Sequence, residues 1–372
     1  MAHWIFKEEH LMFRKAIRKF VDNEVVPFIE DWEKSGVPRS LFEELGKLGY
    51  FAISLPEEQG GTDLDFTTEA ILIEELTRAG AAGVALSVQM HVWNSLHMLA
   101  SLGNDHQKDQ YLGPGLLGEK IGTLLISDEK NSISVTREEE GFILNGKYTA
   151  INGPFADFLI VVPNIEGDKK RVKAFIIEAN EKGVTRTKSS SQRLGWRSLP
   201  TCEITFENVK VSNVNVLGDE SEAYTYMTTI IEREKIFHSL QCLVLGERAL
   251  QSAIQYSKER QQFGQYLSSF QSLRHKMADM AISLEKARSM TYRAVYDYEQ
   301  DPSGHPFLKS ATIASVYSKK MVMEVTDEAL QIHGGAGYMM EFPIQRFWRD
   351  AKMYGITDRN RFSEDIKKLC LI

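Results

Sequence analysis

From Glu8 to about Leu112 apolar positions recur at helical spacing, with Leu11, Ala16, Ile17, Phe20 and Val21 in one stretch and Ala70, Ile71, Ile73 and Leu76 in another. This spacing predicts a helical layer, interrupted by a loop at Pro56-Glu57-Glu58-Gln59-Gly60-Gly61, where Pro and Gly punctuate the chain. After about Gly118 the period changes. Cys202-Glu203-Ile204-Thr205-Phe206-Glu207 alternates apolar and polar, while Asp157-Phe158-Leu159-Ile160-Val161-Val162 and Ala174-Phe175-Ile176-Ile177 read as short buried strands. With no helical pattern between them, these strands predict a compact antiparallel β domain. From about Glu222 the helical period returns, in stripes through Ile236, Leu240, Leu243, Leu250 and Ile254, through Leu273, Met277, Met280, Leu284 and Ala287, and through Ala311, Ala314, Met321, Val325 and Ala329. Long amphipathic helices joined by turns such as Asp301-Pro302-Ser303-Gly304 predict a helical bundle. The expected fold is α+β and multidomain: an N-terminal helical domain over residues 1–117, a middle antiparallel β domain over 118–220 and a C-terminal helical bundle over 221–372.

Composition narrows the function. The 372 residues are 43% apolar and 26% charged, an ordinary globular balance. The net charge of −7 argues against a nucleic-acid backbone as partner. Three cysteines, Cys202, Cys242 and Cys370, form no CxxC pair, so neither a disulfide framework nor a zinc ribbon is expected. The histidines include no HExxH, which leaves no metal site in view. The opening MAHWIFKEEH is too polar for a signal peptide, and no apolar run approaches the ~18 residues of a membrane span; a cytoplasmic location is expected.

Three segments carry candidate chemistry. Gly113-Pro114-Gly115-Leu116-Leu117-Gly118 fits GxGxxG, but it follows a helical stretch where a dinucleotide fingerprint needs a strand, so it reads as a helix-ending loop. Tyr256-Ser257-Lys258-Glu259-Arg260-Gln261-Gln262-Phe263-Gly264, with Phe270-Gln271 beyond it, sets a forked Arg donor suited to pyrophosphate at a helix end; a solvated helix end with a Gly cap explains the same residues. Gln331-Ile332-His333-Gly334-Gly335-Ala336-Gly337-Tyr338 is a Gly-rich break where missing Cβ atoms permit close approach of a ligand, or simply a helix stop. Any hard chemistry is expected from a bound organic cofactor.

In order and spacing, these pieces together with Pro56 to Gly61, Ile73-Glu74-Glu75-Leu76, Leu194-Gly195-Trp196-Arg197, Phe206-Glu207-Asn208-Val209-Lys210-Val211 and Arg349-Asp350-Ala351-Lys352 resemble the acyl-CoA dehydrogenase family over nearly the whole chain. The resemblance implies an N-terminal helical domain, a middle β domain, a C-terminal four-helix bundle, and FAD held between the last two domains and a neighbouring subunit. It implies that Arg260, Gln262, Phe263 and Gln271 contact the FAD of a partner subunit, and that Gln331, Gly334 and Gly335 line its adenine and ribose. Ser127 and Asn360 join this cofactor-binding set. A homotetramer or homodimer follows, with an acyl-CoA or acyl carrier-protein thioester as substrate. The implied reaction is α,β-desaturation, with loss of an α proton to a carboxylate and of a β hydride to flavin N5. An electron-transfer flavoprotein or O2 would then accept the electrons.

Departures from the family pattern matter as much. Its base is usually a Glu shortly after Arg-Asp-Ala-Lys, and the same count here reaches Asp358, one methylene shorter. A minority of the family takes the base from the first bundle helix, and that count reaches Glu234. Nitroalkane oxidase, a relative on the same fold, also has Asp at the late position. Taken blandly, Asp358 is a helix N-cap and Glu234 a first-turn carboxylate. The usual Thr-Glu-Pro and Ala-Gly-Ser-Asp pattern is replaced by Ser127-Asp128-Glu129-Lys130-Asn131-Ser132-Ile133 in a shortened loop, where Ser127 is expected to offer its hydroxyl to the flavin. Trp-Ile-Thr-Asn-Gly becomes Thr149-Ala150-Ile151-Asn152-Gly153, losing the flavin-shielding Trp. The short loop favours a carrier-protein thioester, and the lost shield favours O2 as acceptor. Two alternatives stand beside desaturation: an oxygen-using flavoenzyme, nitroalkane-oxidase-like or a monooxygenase, and a catalytically silent FAD-binding subunit.

Overall fold

The computed structural model describes residues 4–127, 132–163, 173–188, 193–302 and 304–357. The N-terminal layer comprises α1 (Glu8–Glu24), α2 (Ile29–Ser35), α3 (Arg39–Lys47), α4 (Phe66–Arg78), α5 (Ala82–Gln89), α6 (His97–Leu102), α7 (Asp105–Gln107) and α8 (Gly113–Leu116). Asp65 caps α4, accepting from Thr68 N at 3.1 Å. Every residue of α4 from Phe66 to Thr77 is buried, so its acidic side chains need partners. Glu75 receives Arg14, Arg18 and Arg78 at 2.7–3.1 Å, and Glu74 receives Arg14 at 2.6 Å and the Tyr292 hydroxyl. A π-helical stretch, Met90–Leu96, links α5 to α6; such stretches are rare and cluster at functional sites. The Gly113-to-Gly118 segment begins as α8, a helical turn rather than a loop, which takes it further from a dinucleotide fingerprint.

The middle domain is two facing four-stranded sheets, with strands β1 (Gly122–Ile126), β2 (Ile133–Glu138), β3 (Gly141–Ile151), β4 (Phe158–Val162), β5 (Ala174–Glu178), β6 (Val184–Lys188), β7 (Thr201–Ser212) and β8 (Val216–Leu217). One sheet has the order β1-β4-β5-β8 and the other β2-β3-β7-β6. Leu125, Leu144, Leu159, Val161, Phe175, Ile177, Ile204 and Phe206 fill the space between them. The outer face of β4 and β5 is also covered, since Ile160, Val162 and Ile176 join the core of the helical layer, which is why these strands are apolar throughout. The domain is antiparallel as expected, apart from one pair: β1 and β4 run in parallel, from Gly122 with Phe158 to Ile126 with Val162. The β2–β3 hairpin lies in the other sheet and returns the chain to the end from which β1 began.

The C-terminal domain packs α9 (Glu220–Glu259), α10 (Gln271–Gln300), α11 (His305–His333) and α12 (Ile344–Thr357). At 40 residues α9 is about 60 Å long. Asp219 caps it, accepting from Ser221 N and Glu222 N, while Glu222 answers to Asp219 N. Between α9 and α10 a minimal hairpin pairs β9 (Gln261–Gln262) with β10 (Gln265–Tyr266). Its turn residues Phe263 and Gly264 have φ of 51° and 78°, the pairing of positive values a tight hairpin demands.

Candidate active site

Two regions carry the predicted residues. The first lies where α9, the α5–π-helical segment and α12 meet. From Glu232 to Gly246 every α9 residue is buried except Glu234 and His238, which continue a half-open stripe from Ile231. These positions and Gln241 share one helix face at i, i+4 and i+7, so the stripe runs inward from Glu234 to a fully buried amide. Asn94, from the π-helical stretch, donates to Glu234 Oε1 at 2.7 Å. Two turns deeper, Gln241 Nε2 donates to Gln89 Oε1 at 3.2 Å, and the Tyr354 hydroxyl donates to Gln241 Oε1 at 2.7 Å. Burial holds the Tyr354 hydroxyl well above its usual pKa, so it remains a donor. The Tyr354 ring meets His238 and Trp196 edge-on, at 5.6 and 5.0 Å between centroids. Trp196 adopts φ of 52°, an uncommon value for a bulky residue.

Tyr354 lies in the last turn of α12, which ends at Thr357. Asp358 follows next in sequence; both it and Asn360 lie outside the described residues. On the β domain, Ile126, Ser127 and Ile151 are half-buried. The Ser127 hydroxyl donates to Ile133 O at 3.2 Å and accepts from Ile133 N at 3.0 Å across the short loop. Asn152, at φ 59°, is a clamp: its amide donates to Ser87 O at 2.8 Å and accepts the Ser87 hydroxyl, tying the end of β3 to α5.

Arg349 and Asp350 lie one turn before Tyr354 on α12. Asp350 accepts from Ala82 N at 2.9 Å, where α5 begins, and from Trp196 N at 2.7 Å, while Arg349 donates to Leu194 O at 2.7 Å and Glu33 at 2.9 Å. Burial, reinforced by nearby Glu33, pushes Asp350 up to about 6. The motif residues therefore join the last bundle helix to both other domains.

The second region is the bundle end that carries the other two motifs. Tyr256, one turn before Arg260, stacks on His333 at 4.5 Å, and Ser252 bonds the same imidazole at 3.1 Å. This contact brings the two motifs side by side. Arg260, Gln262, Phe263, Gln271, Gln331, Gly334 and Gly335 are all exposed there, and Phe263 is 93% exposed. Arg260 makes no ion pair among the described residues, and a Cβ at Gly334 or Gly335 would meet nothing within 4 Å. An unneutralised Arg beside open glycines suits a dinucleotide pyrophosphate, so the residues present fit FAD. Gln89, Asn94, Gln241 and Tyr354 escaped the sequence reading, because isolated amides in apolar helices carry no motif. A separate basic cavity of about 960 Å³, with Lys34, Arg186, Lys188, Arg193 and Arg197 on its wall, includes none of the predicted site residues.

Against known proteins, residues 7–119, 127–209 and 224–358 match the N-terminal, middle and C-terminal domain models of acyl-CoA dehydrogenase. The chain is 32% identical to the short-chain-specific acyl-CoA dehydrogenase of Clostridium acetobutylicum, over 98% of this chain and 97% of that one. The chain belongs to the acyl-CoA dehydrogenase family. It is also 30% identical to the 3-(aryl)acrylate reductase of Clostridium sporogenes, over 95% of each chain. A Bacillus anthracis acyl-CoA dehydrogenase solved in complex with FAD superposes with a TM-score of 0.86 at 27% identity, covering 96% of this chain and 65% of that one. As a member of this family the protein is an FAD oxidoreductase acting on CH–CH bonds. No described helix is long and apolar enough to cross a membrane.

Proposed function

We propose that this protein desaturates an acyl thioester, CoA- or carrier-protein-bound, at Cα–Cβ, with Asp358 as the base. The observation that carries the reading is the meeting of two helices: the α9 stripe of Glu234 and His238 reaches the end of α12 through the Tyr354–Gln241 bond and the His238–Tyr354 contact, directly before Asp358 in the chain. A thioester α-CH is a weak acid, so its removal needs a carboxylate shielded from water and within about 2.6–3.2 Å of the proton. FAD, when bound, supplies the acceptor for the β hydride. Asp358 takes the α proton, and the product is the trans-enoyl thioester. The protein's part is to exclude water with the apolar walls of α5 and α9, to fix the acyl group between those helices, and to hold the nucleotide on Arg260, Gln262, Gln271, Gln331 and the Gly334–Gly335 break, with Phe263 reaching to a second copy.

A second reading places the base at Glu234, whose carboxylate opens into the same cleft and is oriented by Asn94 at 2.7 Å. The kinship with an acrylate reductase adds that the same groups, run backwards, protonate Cα of an enoyl substrate.

Anaerobic bleaching of the oxidised flavin band tests both readings. Wild type mixed with acyl-CoAs, acyl carrier-protein thioesters and nitroalkanes is expected to bleach with thioesters, and Asp358→Asn to slow this by at least about 10²-fold, while Glu234→Gln retains most of it. Loss only in Glu234→Gln moves the base to α9, and bleaching by nitroalkanes alone overturns the desaturase. On admitting air, rapid reoxidation with peroxide release would assign O2 as acceptor. Slow reoxidation would assign an electron-transfer flavoprotein.

A further inference from the structure

We infer that the acyl group this protein accepts carries a hydrogen-bond-accepting oxygen beyond Cβ (a hydroxyl, keto or carboxamide group), read by Gln89 and Gln241. The inference rests on the acyl-thioester reading above and names the substrate class for that site.

The surrounding core is apolar, with Ala82, Leu86, Cys242 and Leu245 all buried. An alkyl chain docked there would pack best against more of the same. Instead the inward stripe ends on two amides, Gln241 at 0% exposure and Gln89 at 3%. Burying amides in an apolar wall is unfavourable unless each polar atom finds a partner. Gln241 is served on both sides, by Tyr354 and by Gln89. Gln89 is not: its oxygen accepts from Gln241, but its own Nε2 donates to no described residue. The chain of bonds Tyr354–Gln241–Gln89 thus has a direction. Each donor feeds the next acceptor, and the last donor is left over at the start of the π-helical stretch, where Met90 is half-open while its neighbours are buried.

An amide donor left over at the open end of an otherwise closed chain of bonds selects an acceptor. A ligand oxygen on Gln89 Nε2 completes the chain, whereas an alkyl group in the same place leaves the amide unpaired, and sites built this way discriminate more sharply than apolar pockets discriminate a methylene. The alternative, that the amides only fasten α5 to α9 and α12, makes no prediction about the acyl group and is separated by substrate preference.

The test compares matched thioesters, hexanoyl with 5-oxohexanoyl and pentanoyl with 4-hydroxybutanoyl, each loaded on CoA and on a carrier protein, by anaerobic flavin reduction of the holoprotein. Wild type is expected to favour the oxygen-bearing member by roughly ten- to a hundredfold in rate over apparent Kd. Gln89→Leu and Gln241→Leu are expected to shrink or reverse that preference, and a thermal melt with the flavin spectrum reports whether each variant is folded. Flavin reduction in wild type with equal or greater preference for the alkyl members overturns this inference while leaving the dehydrogenase intact. No reduction by any thioester overturns the dehydrogenase reading itself, and this inference with it. Because the wild-type comparison decides by itself, a variant that fails to fold does not rescue the inference.

Discussion

His91, a fully buried residue of the π-helical stretch, shows what a single side chain decides here. Its Nδ1 accepts from Gly122 N at 3.1 Å and its Nε2 faces Gly115 O at 3.1 Å, so the ring must be neutral with its proton on Nε2. Burial lowers its pKa to about 4. Between pH 6.5 and about 4 the unfolded chain therefore holds a proton that the folded chain refuses, and stability falls as the pH is lowered across that window, by about 3 kcal/mol at most. In urea unfolding of wild type and His91→Asn at pH 7 and pH 4.5, the deficit of the variant should shrink at the lower pH; a deficit independent of pH would show that the ring titrates normally. From the sequence alone His91 was one histidine among nine, because its two partners come from chain segments 24 and 31 residues away. Ser127 illustrates the opposite case. Its position was legible by count, and its bond to Ile133 O lies only six residues along the chain.

At the scale of elements, α12 does more than end in the candidate base. Asp350 holds the first amide of α5 and the Trp196 amide with two separate oxygens. Asp350→Asn replaces one acceptor with a donor, so an amide is left facing an N–H at a cost of about 1–3 kcal/mol, read as a lowered melting temperature at pH 7. The pH dependence has its own sign. With a folded pKa raised to about 6, the folded chain binds this proton more tightly than the unfolded one, so this group's contribution to stability falls as pH rises from about 4 to about 6. The asparagine variant lacks that slope. The Arg-Asp-Ala-Lys segment was recognisable as a family signature, but nothing in its four letters says that the aspartate bonds residues 268 and 154 positions earlier. Similarly, Glu74 and Glu75 belong to a recognisable segment, yet their role as buried anchors for arginines of α1 is set by tertiary packing.

For the whole molecule, the bundle end bearing Arg260 and Phe263 presents more than a solvated turn requires. Phe263 is 93% exposed, Tyr338 89% and Met340 63%, in segments joined by the Tyr256–His333 stack. Large apolar side chains exposed together mark an interface, and we propose that a second copy closes over this end and shares its nucleotide site. Phe263→Asp is expected to dissociate the assembly in sedimentation velocity and to release FAD on dilution. Arg260→Ala should weaken FAD binding by about tenfold or more while leaving the helical circular dichroism intact. A wild-type monomer with tightly held FAD would contradict both.

The order of domains, the buried stripes of the long helices and the family itself follow from the sequence alone, because periodicity and motif spacing are local properties written along one dimension. The parallel pairing of β1 with β4, the joining role of Asp350 and the directed chain from Tyr354 through Gln241 to Gln89 were decided only by tertiary structure. Each depends on groups far apart in sequence meeting where water is excluded, and there a polar atom's role is set by the partner it finds rather than by its neighbours along the chain.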